Sequence, residues 1–482
     1  MEILFVTSEV APFSKATGLA DVCGALPKAL RSLGHKVTVL SPLYSHIDPA
    51  ARSLARRLMK IEVQLGGKKV ACELYDGRTP GGVDLLFLGH EELFRQVPHI
   101  YGEGEAYALD AQRFALLSLG ALELIKKREP RFDVMHAHDW TAALAVFMAK
   151  RDPALATMPT VLTIHDLAHQ GSFPKATMEA IGLPWTLFNP EGLEFYGLLN
   201  LLKGGILAAD RVTTVSSAYS DEIRTPEGGH GLDGVLRARG KDLQGILDGV
   251  DVAVWNPATD AALPSRFDPI DLSGKARCKS ELQRSCGLAV RADIPLIGAS
   301  GKLVPARGFD LLAKALPQVL RNDVQLVLHT DGDGDPELRE VFVELATRWP
   351  DRVALLAGDE SAAHRVLGGS DLFVIPSRTE PSGFLQRYAH RYGTLPICRR
   401  TGGHVDTVVD ADAKLDSGSG FLYEDVTPQA LLGAIRRGIA AFTLTAAFDA
   451  TRRRVMRIDH SWERSARLYE ALYRELMAPP KE

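Results

Sequence analysis

The chain is 482 residues long, and a single hydrophobic core stops growing near about 250–300 residues, so two domains of similar size are expected. Hydrophobic residues make up 46% and charged residues 24%, and 56 basic against 60 acidic side chains leave a net charge of -4, a globular balance with no cation excess for nucleic acid. The cysteines, Cys23, Cys72, Cys278, Cys286 and Cys398, are scattered and form no Cys-x-x-Cys pair, which argues against a disulfide frame or zinc site and for a reducing, cytoplasmic setting.

The opening run Met1-Glu2-Ile3-Leu4-Phe5-Val6-Thr7 has no basic stretch before it and is too short for a signal or membrane segment. It reads as a first β-strand, and no membrane partner is expected. A loop through Lys15-Ala16-Thr17-Gly18 follows; Leu19, Val22, Cys23, Leu26, Leu30 and Leu33 then recur at helical spacing up to Gly34, and Lys36-Val37-Thr38-Val39-Leu40 is a second strand. Such β-α-β units pack as parallel sheets covered by helices, so ligands belong in loops at the carboxyl ends of strands. The pattern returns at strand 134–138, a helix near 142–150, strand 160–164 ending at His165, and strand 211–215. Periodicity fades from Gly249-Val250-Asp251 to Trp255-Asn256-Pro257, the expected linker. Beyond it come strands 295–299, 324–328, 353–356 and 372–375 and helices 309–320 and 336–347. A final amphipathic stretch carries Trp462, Ala466, Leu468, Tyr469, Leu472 and Leu476 and is expected across the domain junction. The fold class is therefore α/β, with two doubly wound Rossmann-like domains facing across a cleft, divided as 1–250, 251–456 and a terminal helix in 457–482.

Three loops offer chemistry. Lys15 to Gly18 precede a helix, whose free N–H groups and dipole favour an anion; the alternative is a tight turn with a solvated lysine. Neither G-x-G-x-x-G nor a Walker pattern occurs, which lowers the case for dinucleotide or triphosphate sites. In Gly301-Lys302-Leu303-Val304-Pro305-Ala306-Arg307-Gly308, Lys302 and Arg307 are two cations able to neutralise a leaving diphosphate, unless the loop is merely solvated. In Pro376-Ser377-Arg378-Thr379-Glu380-Pro381-Ser382-Gly383, Glu380 can accept hydrogen bonds from sugar hydroxyls while the Gly383 end opens a helix toward phosphate; alternatively Glu380 pairs with Arg378. His136, His138, His165 and His169 suggest a metal, but no H-E-x-x-H pattern occurs and Gly171 predicts a loop, so no metal is expected. Asp331-Gly332-Asp333-Gly334-Asp335 resembles a calcium loop but has Pro336 and Phe342 where the EF-hand pattern needs Gly and Glu.

Taken in order, many segments resemble the bacterial glycogen synthase and plant starch synthase family: Ser8-Glu9-Val10-Ala11-Pro12, Lys15 with Gly18-Leu19-Ala20-Asp21-Val22, His136-Ala137-His138-Asp139-Trp140, Gly192-Leu193-Glu194-Phe195, Gly249-Val250-Asp251, Pro376-Ser377-Arg378 with Glu380-Pro381, and Tyr392-Gly393-Thr394-Leu395-Pro396 leading to Arg399-Arg400-Thr401-Gly402-Gly403. The resemblance implies the GT-B architecture and transfer of glucose from ADP-glucose to the nonreducing end of an α-1,4-glucan, with retained anomeric configuration and no metal or other cofactor. It implies that Glu380 binds the glucose, that Asp139 and His165 line the sugar and acceptor side, and that Lys302 and Arg307 stabilise the departing diphosphate. Lys15, Gly18, Asp248, Ser382 and Gly383 complete the implied donor-binding set. Some positions depart from the family pattern: Thr17 replaces a Gly, Lys302 and Arg307 are exchanged, and Asp166 and Asp248 each replace an Asn. Thr141 replaces a His, His169 a Tyr, Ser382 a Cys, Leu385 a Thr and His404 a Leu. The second expectation is accordingly a catalytically weak paralogue that binds glucan or nucleotide sugar as a regulatory subunit.

Overall fold

The computed structural model describes residues 1–330 and 334–478; Asp331, Gly332 and Asp333 of the calcium-like loop lie outside the described residues. The chain forms two compact units, one from Met1–Gly249 joined by the segment that starts at Trp462, the other from Val250–Ser461. Among the described residues no single helix is long and apolar enough to cross a membrane.

The first unit holds β1 (Glu2–Val6), β2 (Lys36–Pro42), β3 (Ala55–Arg56), β4 (Ile61–Leu65), β5 (Lys68–Arg78), β6 (Asp84–Gly89), β7 (Val134–His138), β8 (Thr160–Ile164), β9 (Ser172–Pro174), β10 (Glu194–Phe195), β11 (Leu198–Asn200), β12 (Arg211–Thr214) and β13 (Leu243–Gly245). The main sheet runs β13-β12-β8-β7-β1-β2-β6-β5-β3, parallel from β13 to β6, while β9, β10 and β11 form a small separate sheet. Ile3, Leu4, Phe5 and Val6 of β1 are all fully buried, which is why this strand reads as a continuous apolar run. From β1 the chain winds outward to β2 in one direction and later to β7 in the other, so the loops after β1 and β7 sit side by side at a topological switch point. Helix α1 (Gly18–Ser32) buries Leu19, Val22, Cys23, Leu26 and Leu30 on one face. Each fully buried leucine contributes about 1.5–3 kcal/mol. Helix α2 (Tyr107–Lys127) packs on α3 (Asp139–Ala149), which begins directly at the end of β7.

The terminal helix Trp462–Met477, read from sequence as a junction element, packs within the first unit, on α1. Its buried face includes Ala466, Tyr469, Leu472 and Tyr473. Gly249 lies so close to it that a Cβ there would meet Trp462 backbone at 2.5 Å.

The second unit holds β14 (Leu296–Ser300), β15 (Gln325–Thr330), β16 (Val353–Ala357), β17 (Leu372–Ile375), β18 (Leu395–Arg399) and β19 (Phe421–Tyr423) in the parallel order β16-β15-β14-β17-β18-β19. Helices cover both faces: Leu312, Leu316 and Ile435 pack on one side, Leu282, Val366 and Tyr392 on the other. Here the switch point falls between β14 and β17. The loops after these two strands contain Lys302 with Arg307 and Glu380 respectively.

Candidate active site

In the first unit the loop after β1 is organised by Glu9, a buried carboxyl group that the sequence reading placed in a family segment but gave no task. Its Oε2 accepts from the backbone N–H of Ala16 at 2.5 Å and of Thr17 at 2.8 Å. Its Oε1 accepts from Thr17 Oγ1 at 2.8 Å and from Tyr101 OH at 2.5 Å. Thr17 also caps α1, accepting from Leu19 N at 3.2 Å. The N–H groups of Ala16, Thr17 and Leu19 are therefore engaged within the chain. Thr17 sits at φ -135°, ordinary extended backbone, so its Cβ costs no strain. Lys15 leans onto Asp21 at 2.8 Å, and its helix neighbour Gly18 begins α1. From Glu9 the hydroxyls continue: Tyr101 OH lies 2.9 Å from Ser8 Oγ, and Thr141 Oγ1 donates to Ser8 Oγ at 3.1 Å. Thr17 and Thr141, two departures from the family pattern, are thus the ends of one hydroxyl network.

The ends of β7 and β8 bring together His138, Asp139 and His165. His138 Nδ1 lies 3.0 Å from His165 Nε2, and the backbone N–H of His165 donates to Asp139 Oδ1 at 2.7 Å. Burial pushes His165 down to about 3 and His138 well below the ordinary imidazole range. Two neutral imidazoles can share one proton across the 3.0 Å contact, whereas two imidazolium ions would repel. Asp139 has φ 56°, a left-handed conformation that a non-glycine residue adopts at a cost. Burial raises its carboxyl well above the usual range, opposed by the N–H of His165 and reinforced by Asp166. His136 is tied at 2.7 Å to Tyr473 OH and at 2.6 Å to Thr163 Oγ1, a packing role. His169 is 76% exposed, 4.0 Å from Asp166, and among the described residues no group of three or more His, Cys, Asp or Glu is placed to hold a metal ion. Asp248 is buried, near enough to Tyr469 and Cys23 for its charge to raise both.

In the second unit Arg307 and Glu380 meet. Arg307 Nη1 donates to Glu380 Oε2 at 2.7 Å, across the two strands of the switch point. The alternative pairing of Glu380 with Arg378 does not form, because Arg378 makes a two-pronged contact with Asp310 at 2.7 and 2.8 Å. Burial pushes the Glu380 carboxyl upward, but Arg307, His404 and a hydrogen bond from Ser377 outweigh it, and its value is lowered overall. A buried carboxylate that stays ionised beside a half-exposed guanidinium is set to accept hydrogen bonds from hydroxyls. Lys302 lies exposed in the same loop as Arg307. The peptide chain at Glu380 and Ser382 is pressed against Gly402 and Gly403, where a Cβ would lie 2.2 Å from Glu380 O and 1.7 Å from Ser382 O. Gly403 N donates to Glu380 O at 3.0 Å, so the Arg399–Gly403 segment fixes the position of the carboxylate. Ser382 Oγ accepts from the fully buried Arg387 at 2.7 Å, and Arg387 Nε donates to Gly383 O, also at 2.7 Å. Gly383, at φ 67°, precedes rather than opens the helix Leu385–Arg391, which is a single short segment of 7 residues.

Two parallel doubly wound units, each with polar side chains gathered at a switch point, have the architecture of the GT-B class of glycosyltransferases. Residues 2–238 match the family described as the starch synthase catalytic domain, and residues 294–440 match glycosyl transferases group 1. The chain is 48% identical over 484 residues to a glycogen synthase of Anaeromyxobacter sp. (strain Fw109-5), covering 99% of this chain and 100% of that one. It is 44% identical over 490 residues to the glycogen synthase of Myxococcus xanthus, with 99% and 100% covered. The catalytic domain of starch synthase IV from Arabidopsis thaliana, solved bound to ADP and acarbose, superposes with a TM-score of 0.90 at 32% identity over 99% of both chains. Sucrose-phosphate synthase from Thermosynechococcus elongatus, at 17% identity and a TM-score of 0.62 over 98% of each chain, shares the fold. The chain belongs to the glycogen synthase and starch synthase family and is a hexosyltransferase.

Proposed function

We propose that the enzyme moves glucose from ADP-glucose to the nonreducing end of an α-1,4-glucan with retained configuration, without a metal ion. The observation that carries this reading is the Arg307–Glu380 pair at the second switch point, in a chain that matches glycogen synthases along its whole length. As the bond from the sugar to the diphosphate breaks, negative charge grows on the leaving oxygen. Lys302 and Arg307 offset that charge, and such preorganised stabilisation is strongest where water is excluded. Glu380 holds hydroxyls of the donor glucose, while Ser382 and Gly383 shape the loop around it. In the first unit Lys15 and Gly18 serve the donor phosphates, and His165 with Asp139 orients the sugar and acceptor side. Asp248, buried in the first unit, completes the donor-binding set by the family resemblance. The chain's cysteines are all free thiols, consistent with a cytoplasmic enzyme.

The test is incubation of the purified protein with labelled ADP-glucose and glycogen. Label should enter polymer, and UDP-glucose should support a slower rate. Retention of glycogen without any incorporation from either donor would return the chain to a binding role.

A further inference from the structure

The hairpin of β10 and β11 turns through Tyr196 and Gly197, at φ 48° and 78°. Two positive φ angles in a two-residue hairpin loop are those of a type I′ turn, which favours Asn-Gly because other side chains are strained at its first position. The chain places a tyrosine there, and it is 84% exposed. Folding gains little from a strained backbone that sets a large ring in water, and an outlier of this kind points to function. The ring is nonetheless bedded. Phe195 meets it edge-on with centroids 4.6 Å apart, and at Gly231 a Cβ would stand 3.4 Å from Phe195 Cζ and 4.0 Å from Tyr196 Cε2.

The hairpin is also tied to the loop that carries His165. Asn200 Nδ2 donates to Gln170 Oε1 at 2.7 Å, and Gln170 Nε2 donates to the carbonyl of His230, beside Gly231, at 3.0 Å. Tyr196 and His165 therefore belong to one loop cluster of the first unit. A single held ring with Gln170 and His230 nearby offers area for one sugar residue, far below the roughly 800 Å² per partner of a stable protein interface. We propose that Tyr196 is a platform for glucosyl residues of the acceptor that lie away from its reacting end. The apolar face of a pyranose ring stacks on the phenol ring, and its hydroxyls bond to Gln170 and His230. This deepens the glucan-acceptor reading and rests on it. For a polymeric acceptor a second foothold raises the local concentration of chain ends.

Tyr196→Asn builds the favoured Asn-Gly turn, so the fold should keep or raise its thermal midpoint while the platform is lost. The KM for glycogen should rise about fivefold to tenfold, the range of one aromatic contact. The kcat on maltose and the KM for ADP-glucose should not change, and Tyr196→Phe should behave as wild type. Electrophoresis in glycogen-containing gels should show strong retardation of wild type and weak retardation of Tyr196→Asn. Unchanged glycogen KM and retardation in Tyr196→Asn would overturn the platform. So would equal losses on maltose and glycogen, a lowered midpoint, or a variant-dependent sedimentation coefficient, which would mark a contact between copies. If wild type transfers no glucose while its retardation still depends on Tyr196, the platform stands and the proposed reaction falls.

Discussion

The two switch points solve different electrostatic problems with the same topology. In the first unit the polar network is turned inward: Glu9 takes donors from Ala16, Thr17 and Tyr101, the hydroxyls run on to Ser8 and Thr141, and His138 and His165 are kept neutral by burial. In the second unit charge is displayed: Arg307 on Glu380, Arg378 on Asp310, and Lys302 at the surface. A prearranged frame of neutral imidazoles and a fully hydrogen-bonded Glu9 suits the orientation of uncharged hydroxyls, and displayed cations suit a leaving group that gains charge. The departures from the family pattern read differently in this light. Thr17 and Thr141 are joined through one network, whereas the exchange at positions 302 and 307 leaves a cation at each place.

The largest test of this contrast is Glu380→Gln, which keeps the side-chain volume and removes the charge opposite Arg307. Turnover with ADP-glucose and glycogen should fall about 10²–10³-fold, the loss seen when one preorganised polar group is removed from a reacting centre. A loss below tenfold would move the chemical burden away from the second unit. Next comes Lys302→Arg combined with Arg307→Lys. Because Arg307 is engaged with Glu380 at 2.7 Å, a lysine there replaces a planar fork by a point charge, and kcat should fall about tenfold. A rise in kcat would show that the exchanged order is a handicap rather than an adapted arrangement.

Much of the scaffold was legible because its strands are buried on both faces. Phe5 and Val6 in β1, or Phe373 and Val374 in β17, appear as unbroken apolar runs between loops. The antiparallel edge was not. β5 runs from Lys68 to Arg78 with only Cys72 and Leu74 buried and the rest half-exposed or exposed, so neither period stands out. β18 contains Pro396, which lacks a ladder N–H and argues against a central strand, yet it lies between β17 and β19. The sites were legible as loops and not as pairs. Arg307 and Glu380 are 73 positions apart and meet only because β14 and β17 are neighbours. The task of Glu9 depends on Tyr101, 92 positions away, although a carboxylate directly after a buried strand is itself a signal, since burial requires donors. Tyr196 left no periodic trace, because what marks it is backbone strain.

The smallest effect should appear in acid, and it separates the buried imidazoles of the first unit from the Arg307–Glu380 pair. His165 is lowered to about 3 in the folded chain, while an unfolded imidazole titrates near 6.5. Between these values the unfolded state binds the proton and the folded state does not, so this contribution to stability is complete above about 6.5 and is lost as pH falls. Glu380 is lowered from 4.5, so its contribution is lost only at pH values below that. From pH 7 to 5 the buried imidazoles should pull the thermal midpoint down, each by at most about 1.4 kcal/mol per pH unit, while the raised Asp139 carboxyl acts with the opposite sign. His390 and His460 in the second unit, lowered to about 4 and about 2 by burial, add to the same slope. His165→Asn removes one of these protons and should flatten the slope in calorimetry, whereas Glu380→Gln should leave it unchanged over that range. Equal slopes in wild type and His165→Asn would mean that His165 already carries its proton when folded, and the neutral state assigned to this imidazole would fail.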